Sequence, residues 1–457
     1  MKLPAEIFRA YDIRGIAGSV LSAAVVREIG RALGTLARAR GAPEFAVGRD
    51  GRLSSPALAG ALMDGLNAAG ADVIELGVVP TPVTYFAAHH FGCASAVMVT
   101  GSHNPGDYNG LKMVVAGATL TGAEIQGLRS SVESGRCESG AGRRRREDVL
   151  DAYVARIAGD VKLARPMRVA MDCGNGVAGV VAPRLFRLLG CEVLELFSEV
   201  DGTFPNHHPD PSRPENLRDL VAVLKKGDSE IGLAFDGDGD RLGVVTRSGK
   251  LIFPDRQLML YAKDVLARNA GAEIIYDVKC TRLLAPWIER HGGRPVIWKT
   301  GHSLIKAKLK ESGAPLAGEM SGHIFFKERW YGFDDALYCG ARLLEILSRE
   351  ANPDESLEGL PDAPSTPELN WQLAEGEPHA IVDRLQKSSP FPGALSVLTI
   401  DGVRAEFADG FGLARASNTT PVIVLRFEGD TPQALARIQE EFRKALQPLK
   451  PRSPLPF

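Results

Sequence analysis

Three aspartates alternate with glycines in EIGLAFDGDGDRLGVV (residues 230–245), between two apolar β-type segments. In extended backbone alternate side chains share a face, so Asp236, Asp238 and Asp240 can converge on one point, and the glycines permit tight curvature around it. Three like charges repel unless a cation joins them, and oxygen donors favour a hard divalent ion, Mg²⁺ first. A plain polar turn leaves that repulsion unanswered. A Ca²⁺ EF-hand fails because Arg241 stands at the loop-glycine position, Arg247 stands at the bidentate-Glu position, and the entry is strand-like. Aspartyl-nucleophile phosphatases also open with a strand and D-x-D but expect Thr or Val soon after, where this chain has Gly239 and Asp240.

A second stretch, VMVTGSHNPGDYNGLKMV (97–114), sets Ser102 beside His103 at a strand end. A hydrolytic Ser-His pair is disfavoured, because neighbours on extended backbone point to opposite faces and G-x-S-x-G is absent. Ser102 suits a phosphoryl carrier better: a phosphoserine brings nearly two negative charges, which the Asp cluster's metal and the cations Arg241, Lys112 and Arg14 could neutralise. A serine that merely caps or turns the chain is the alternative. GEMSGH (318–323) packs a carboxylate, a hydroxyl and an imidazole into a glycine-flanked loop, the inventory for gripping sugar hydroxyls. RASNTTP (415–421) sets a guanidinium beside side-chain donors and backbone N–H groups, the inventory for a phosphate. In KTGHSLIKAKLK, Lys306, Lys308 and Lys310 read as a solvated face, whereas His302 at the strand's end has the better claim to a site.

One motif competes. Gly174, Gly176 and Gly179 spell G-x-G-x-x-G between a strand and a helix, with Glu195 near the end of the next strand, which is the pattern of a dinucleotide-dependent oxidoreductase. The plainer reading, glycines turning the chain from strand to helix, is preferred, since a dinucleotide there leaves the Asp cluster and the serine loop without a purpose.

These motifs need elements to hold them. The 457 residues, 44% hydrophobic and 24% charged, suit several globular domains. A net charge of -2 offers no basic field for nucleic acid. Six scattered cysteines without C-x-x-C read as reduced thiols. The N-terminal MKLPAEIFRAYDIRG lacks a signal-peptide core and no apolar run approaches the ~18 residues of a membrane span, so a cytoplasmic protein is expected. A strand-helix-strand unit occurs three times, beginning at EFAVGRDG, MRVAMDCG and EIIYDVKC, which predicts helix-covered sheets with ligand loops at strand C-terminal ends. Arg143 to Arg146 read as the solvated face of a first linker followed by a helix from about Glu147; a hairpin gives way to a new helix near Pro254; and Pro361, Pro364 and Pro367 mark a stiff last linker. The C-terminal unit reads β-α-β-β-β-α.

Taken together, TGSHNP, DGDGDR, GEMSGH and RASNTTP, in this order, resemble the α-D-phosphohexomutases, above all the bacterial phosphomannomutase/phosphoglucomutase group, and the resemblance runs from FRAYDIRG to the C-terminal helix. It implies four domains around a central cleft, three related α/β domains with mixed sheets and a smaller α+β C-terminal domain, here 1–149, 150–253, 254–363 and 364–457. It implies reversible phosphoryl transfer between C1 and C6 of mannose and glucose phosphates through phosphorylated Ser102 and a hexose 1,6-bisphosphate, with Mg²⁺ as cofactor and glucose 1,6-bisphosphate as activator. Ser102, Asp236, Asp238 and Asp240 match the metal site; Glu319, Met320, Ser321, Gly322 and His323 the sugar loop; Arg415, Ala416, Ser417, Asn418 and Thr419 the grip on the phosphate not being transferred. Tyr11, Arg14, Lys112, Arg241, Lys279, Gly301 and His302 fall where the family lines its cleft. Lys112 and His302 are the candidate bases, Arg14 an electrostatic participant, and His103 a supporting phosphate contact. A glucosamine-phosphate mutase, with a different residue at the Met320 position, is the second choice of substrate. Small hexose phosphates are the expected partners, with no nucleic acid or membrane, and a monomer is expected.

Overall fold

The computed structural model describes residues 1–388, 391–418 and 420–457. The first sheet holds β1 (Ile13–Ile16), β2 (Glu44–Arg49), β3 (Asp72–Val78), β4 (Ser95–Val99), β5 (Tyr108–Val115), β6 (Ala118–Thr119) and β7 (Arg144–Arg146), in the order β1-β5-β4-β2-β3-β7 with β6 paired to β5. The second holds β8 (Arg168–Asp172), β9 (Glu192–Leu196), β10 (Ile231–Phe235), β11 (Leu242–Thr246) and β12 (Leu251–Ile252), in the order β12-β11-β10-β8-β9. The third holds β13 (Glu273–Asp277), β14 (Arg294–Trp298), β15 (Leu316–Gly318) and β16 (Ile324–Phe326), in the order β14-β13-β15-β16.

These three sheets share one plan. Each expected strand-helix-strand unit is a parallel pair, β2 with β3, β8 with β9, β13 with β14. A third strand joins the pair's first strand in parallel and then turns back through a hairpin into an antiparallel fourth: β4 into β5, β10 into β11, β15 into β16. The central strands read as apolar runs because they are covered on both sides; β4, β10 and β11 are buried throughout. The serine loop, the aspartate loop and GEMSGH are the same hairpin turn in three repeats, which is why motifs so far apart in sequence reach one cleft.

The fourth sheet is different. Strands β17 (Leu369–Gln372), β18 (Ser396–Leu398), β19 (Val403–Phe407), β20 (Gly410–Ala416) and β21 (Val422–Gly429) run antiparallel in the order β17-β21-β20-β19-β18, with helices Glu377–Ser388 and Pro432–Leu446 packed on it through Ile381, Leu385, Ile438 and Phe442. This unit therefore has one strand more than the sequence pattern suggested: β18 is three residues long and half-exposed, too short to show a period. The arginine run is also corrected. Arg144–Arg146 is not a linker face but an edge strand parallel to β3, and the helix that follows starts at Leu150. Its guanidiniums have carboxylate partners: Arg144 meets Glu75 at 2.9 Å, Arg145 meets Glu44 at 2.5 Å, and adjacent Arg143 meets Asp72 at 2.9 Å.

One continuous core joins the helix Thr81–Phe91 of the first repeat to the second and third sheets and the helix Ala336–Leu347. The fourth unit has its own core around Trp371, Phe427 and Phe442 and meets the third through a small cluster of Val278, Phe411 and Leu413.

Candidate active site

Ser102 sits in the β4–β5 turn, 2% exposed, with φ +49°. This left-handed conformation overturns the expectation that His103 points away: off extended backbone the two side chains turn together, and Ser102 Oγ lies 3.2 Å from His103 Nδ1. Burial, and after it the cations Arg241, Arg14 and Lys112, hold the His103 imidazole well below its usual range, so it is neutral. The loop is held from within by Arg52, which donates to the carbonyls of Ser102 (2.8 Å), Asn104 (2.7 Å), Tyr108 (3.0 Å) and Pro105. Asp50 anchors Arg52 at 3.1 Å and accepts from Thr100 Oγ1 and Gly101 N.

The aspartate turn between β10 and β11 lies directly against it. Ser102 Oγ donates to Asp236 Oδ2 at 3.0 Å, and a Cβ on Gly237 would lie 2.4 Å from the Ser102 carbonyl oxygen, so only glycine permits this approach. The carboxylates of Asp236, Asp238 and Asp240 lie within 4.8 Å of one another and are at most 1% exposed. Arg241 Nε donates to Asp236 Oδ2 at 3.0 Å, and Lys112 Nζ from β5 bridges Asp238 Oδ2 at 2.7 Å and Asp240 Oδ2 at 2.5 Å. Thr81, at the start of its helix, gives Asp238 Oδ2 a hydroxyl bond of 2.5 Å. Asp238 Oδ1 and Asp240 Oδ1 are buried and have no hydrogen-bond partner among the described residues. Two orphaned oxygens in a three-carboxylate turn fit a hard cation, since such atoms otherwise go unsatisfied. Burial and the neighbouring Asp238 charge push both Asp236 and Asp240 up to about 7; burial also opposes the Asp238 charge, but Lys112 outweighs it and holds that carboxyl well below the usual range. Lys112 itself is driven by Asp238 and Asp240, against burial, well above the usual lysine range. Paired to both carboxylates, it is held as an ammonium.

The third hairpin brings Glu319, 2% exposed, which accepts from Gly301 N at 2.6 Å and from Ser321 Oγ at 3.0 Å; burial raises its carboxyl above the usual range. Gly322 turns the loop over Arg241 with φ +105°, and His323 Nδ1 lies 3.6 Å from Asp240 Oδ1, joining the GEMSGH loop to the aspartate turn. Met320 is placed differently from the rest of its loop: at 7% exposure its side chain belongs to the main core. His302 is buried between the rings of Tyr11 (5.6 Å between centroids) and His323 (5.7 Å), its Nδ1 has no hydrogen-bond partner among the described residues, and burial and Lys306 hold it well below the usual range. Arg14 is fixed by Asp12 at 2.6 Å and Asn104 at 3.0 Å. Lys279 Nζ meets Glu368, on the linker, at 2.6 Å.

From the fourth unit, Arg415 at the end of β20 is braced by Asp401 at 3.0 Å and has a buried Nη2 with no hydrogen-bond partner among the described residues, a donor that an anion could take up. Tyr11, Ala416, Asn418 and Lys299 line a cleft of about 400 Å³ between the first, third and fourth units. Ser417 accepts from Thr420 N at 3.3 Å, and Thr419 lies outside the described residues.

The sequence reading missed Arg52, Asp50, Thr81, Asp334 and Lys306. Only RDGR, charged residues right after a βα strand, carried a local signal; the others matter through long-range contacts. Lys306 corrects the solvated-face expectation: its Nζ lies 3.1 Å from buried Asp334 and 4.6 Å from the Tyr85 ring, whereas Lys308 pairs with Glu311 and Lys310 is exposed. The GNGVAG glycines serve packing. A Cβ on Gly176 would lie 2.9 Å from the Gly237 carbonyl oxygen, and Val177 N donates to that same oxygen at 3.1 Å, so this loop backs the aspartate turn, and Glu195 is paired to Arg187.

Comparison with known proteins bears on this arrangement. Residues 5–138, 151–249 and 253–363 match phosphoglucomutase/phosphomannomutase α/β/α domains I, II and III, and residues 368–445 match the C-terminal domain of the same family. A phosphomannomutase/phosphoglucomutase of Pseudomonas putida is 56% identical over 100% of this chain and 98% of its own. A phosphoglucomutase of Neisseria gonorrhoeae is 56% identical over 97% of both chains. The crystal structure of a phosphoglucomutase/phosphomannomutase family protein from Burkholderia thailandensis superposes with a TM-score of 0.95 at 59% identity, covering 100% of both chains.

Proposed function

The chain belongs to the phosphoglucomutase/phosphomannomutase family, and on that premise we propose that it moves a phosphoryl group reversibly between C1 and C6 of mannose and glucose phosphates. It is an enzyme of the isomerase class, an intramolecular phosphotransferase. The observation that carries the serine mechanism is the 3.0 Å approach of Ser102 Oγ to the aspartate turn, between two hairpins of different repeats.

In the phosphorylated enzyme a free hydroxyl of the bound hexose phosphate attacks the phosphorus on Ser102. The new O–P bond forms as the Ser102 Oγ–P bond breaks, the hydroxyl proton passes to a base, and a 1,6-bisphosphate faces the bare serine. After the sugar turns around, the other phosphoryl group returns to Ser102 and the isomeric monophosphate leaves. Asp236, Asp238 and Asp240 would hold Mg²⁺, which supplies Lewis-acid stabilisation of charge on the phosphoryl oxygens. Arg241, Arg14 and Lys112 add fixed positive charge around the same point. Of the two candidate bases, His302 is neutral and so able to accept the hydroxyl proton, although burial and Lys306 weaken it as a base, whereas Lys112, held as an ammonium, suits proton return. Glu319 and Ser321 orient sugar hydroxyls; Arg415, Ser417 and Asn418 hold the idle phosphate, with Thr419, Tyr11 and Lys279 as further contacts. One phosphate grip serves both orientations, which is why it stands on a separate unit. Limits of 1–149, 150–253, 254–363 and 364–457 give each unit one sheet and one of the four loops. Glucose 1,6-bisphosphate would rephosphorylate a bare serine, and the cytoplasm is the proposed location.

Coupled assays with mannose 1-phosphate, glucose 1-phosphate and glucosamine 1-phosphate, each with a trace of glucose 1,6-bisphosphate, test the substrate choice. Faster turnover of the first two is expected; equal or better turnover of the glucosamine ester overturns it.

A further inference from the structure

Asp334 has no part in the chemistry described so far, yet it is 0% exposed beside the reacting groups. It follows β16 in YGFDDAL, and its backbone bridges Phe325. Its neighbour Asp335 caps the helix Ala336–Leu347, accepting from Tyr338 N and from Tyr153 OH. Asp334 turns the other way, with Oδ1 3.1 Å from Lys306 Nζ and Oδ2 3.0 Å from His323 Nδ1. That same Nδ1 is 3.6 Å from Asp240 Oδ1.

An imidazole nitrogen 3.0 Å from a buried carboxylate that is itself paired to Lys306 is repelled if it presents a lone pair and attracted if it carries the proton, so His323 takes the Nδ1–H form and Nε2 becomes the accepting nitrogen. The Nδ1 contact to Asp334 is short but not aligned as a hydrogen bond, a geometry common before substrate closes a site. Lys306 keeps the carboxylate charged and is itself fixed over the Tyr85 ring, one helical turn from His302.

We propose that Asp334 is a positioning residue for phosphoryl transfer: with Lys306 as its counter-ion it holds the sugar-loop imidazole of His323 in the Nδ1–H form, leaving Nε2 as acceptor toward the bound hexose phosphate. This rests on the mutase reading for its kinetic consequence but not for the tautomer.

The test compares wild type with Asp334→Asn, and with Lys306→Met should the first not fold. In ¹⁵N-histidine-labelled full-length protein, with the His323 signal assigned by its loss in His323→Gln, wild type should show Nδ1–H, and Asp334→Asn a shift toward Nε2–H. Turnover of glucose 1-phosphate should drop roughly 10- to 100-fold with KM changed less than about threefold, while Mn²⁺ affinity stays within about twofold. Lys306→Met should shift both readouts the same way, less far. An unchanged tautomer overturns the proposal, as does turnover within about twofold of wild type. A wild-type protein that shows the Nδ1–H form but no mutase activity refutes the mutase reading instead.

Discussion

Lys112 takes its meaning from what surrounds it. Bridging Asp238 and Asp240, its ammonium is the counter-charge that lets three carboxylates share one turn, and a divalent cation must compete with it. Lys112→Met is therefore expected to bind Mn²⁺ about fivefold more tightly or better, by titration calorimetry, while losing turnover; unchanged or weaker Mn²⁺ binding contradicts this. The carboxyls of Asp236 and Asp240, pushed up to about 7, carry the pH dependence. Their folded-state affinity for protons exceeds that of free aspartate, so protons compete with metal below that range. Mn²⁺ affinity should fall as pH drops through about 7, with about one to two protons released per ion at pH 6 and nearly none at pH 9, read from calorimetry in buffers of differing ionisation heat. Constant affinity from pH 6 to 8.5 would refute it. At this scale the Ser102 and Asp236–Asp240 motifs were legible because their chemistry is local. Thr81 was not, because its partner Asp238 lies 157 residues away, and Asp334 was not, because its approach to His323 and Lys306 depends on how strand, loop and helix pack. His103 was misjudged because an αL serine obeys no strand alternation.

At the scale of elements, the repeated hairpin is what turns separate motifs into a site. The strand-helix-strand units could be read from apolar runs and glycine corners, and so could the break before the fourth unit. Two short strands could not: β7 is three arginines and β18 three half-exposed residues, both fixed by pairing with a neighbour rather than by their own pattern. The contact between serine and aspartate hairpins depends on Gly237, whose added Cβ would strike the Ser102 carbonyl. Gly237→Ala should retain the fold by circular dichroism while losing about 10²-fold or more in kcat/KM, the scale set by displacing reacting groups by about 1 Å. Near-normal activity would show that the two turns need not touch.

For the whole molecule, three units share a core while the fourth is joined through few apolar groups and many polar ones. Arg404, 2% exposed and stacked 3.7 Å from the centre of the Phe411 ring, donates to the carbonyls of Val278 and Cys280 at 2.6 and 2.7 Å. Arg404→Ala leaves both carbonyls without their donor, at about 2 kcal/mol, and loosens the unit that carries Arg415. KM for glucose 1-phosphate should rise about threefold or more, exceeding any loss of kcat, and the linker near Pro361–Pro367 should become easier to cleave by protease; an unchanged KM argues that this interface does not set the phosphate grip. The four-unit layout was legible from motif order and composition, but the shared core of the first three was not, since it joins faces that no single segment reveals. The most direct measurement is the intact mass of the purified full-length protein beside that of Ser102→Ala. The account predicts an adduct of about 80 Da that exchanges with added glucose 1,6-bisphosphate and is missing, along with the activity, in the variant; a variant that keeps the adduct or the activity would contradict it.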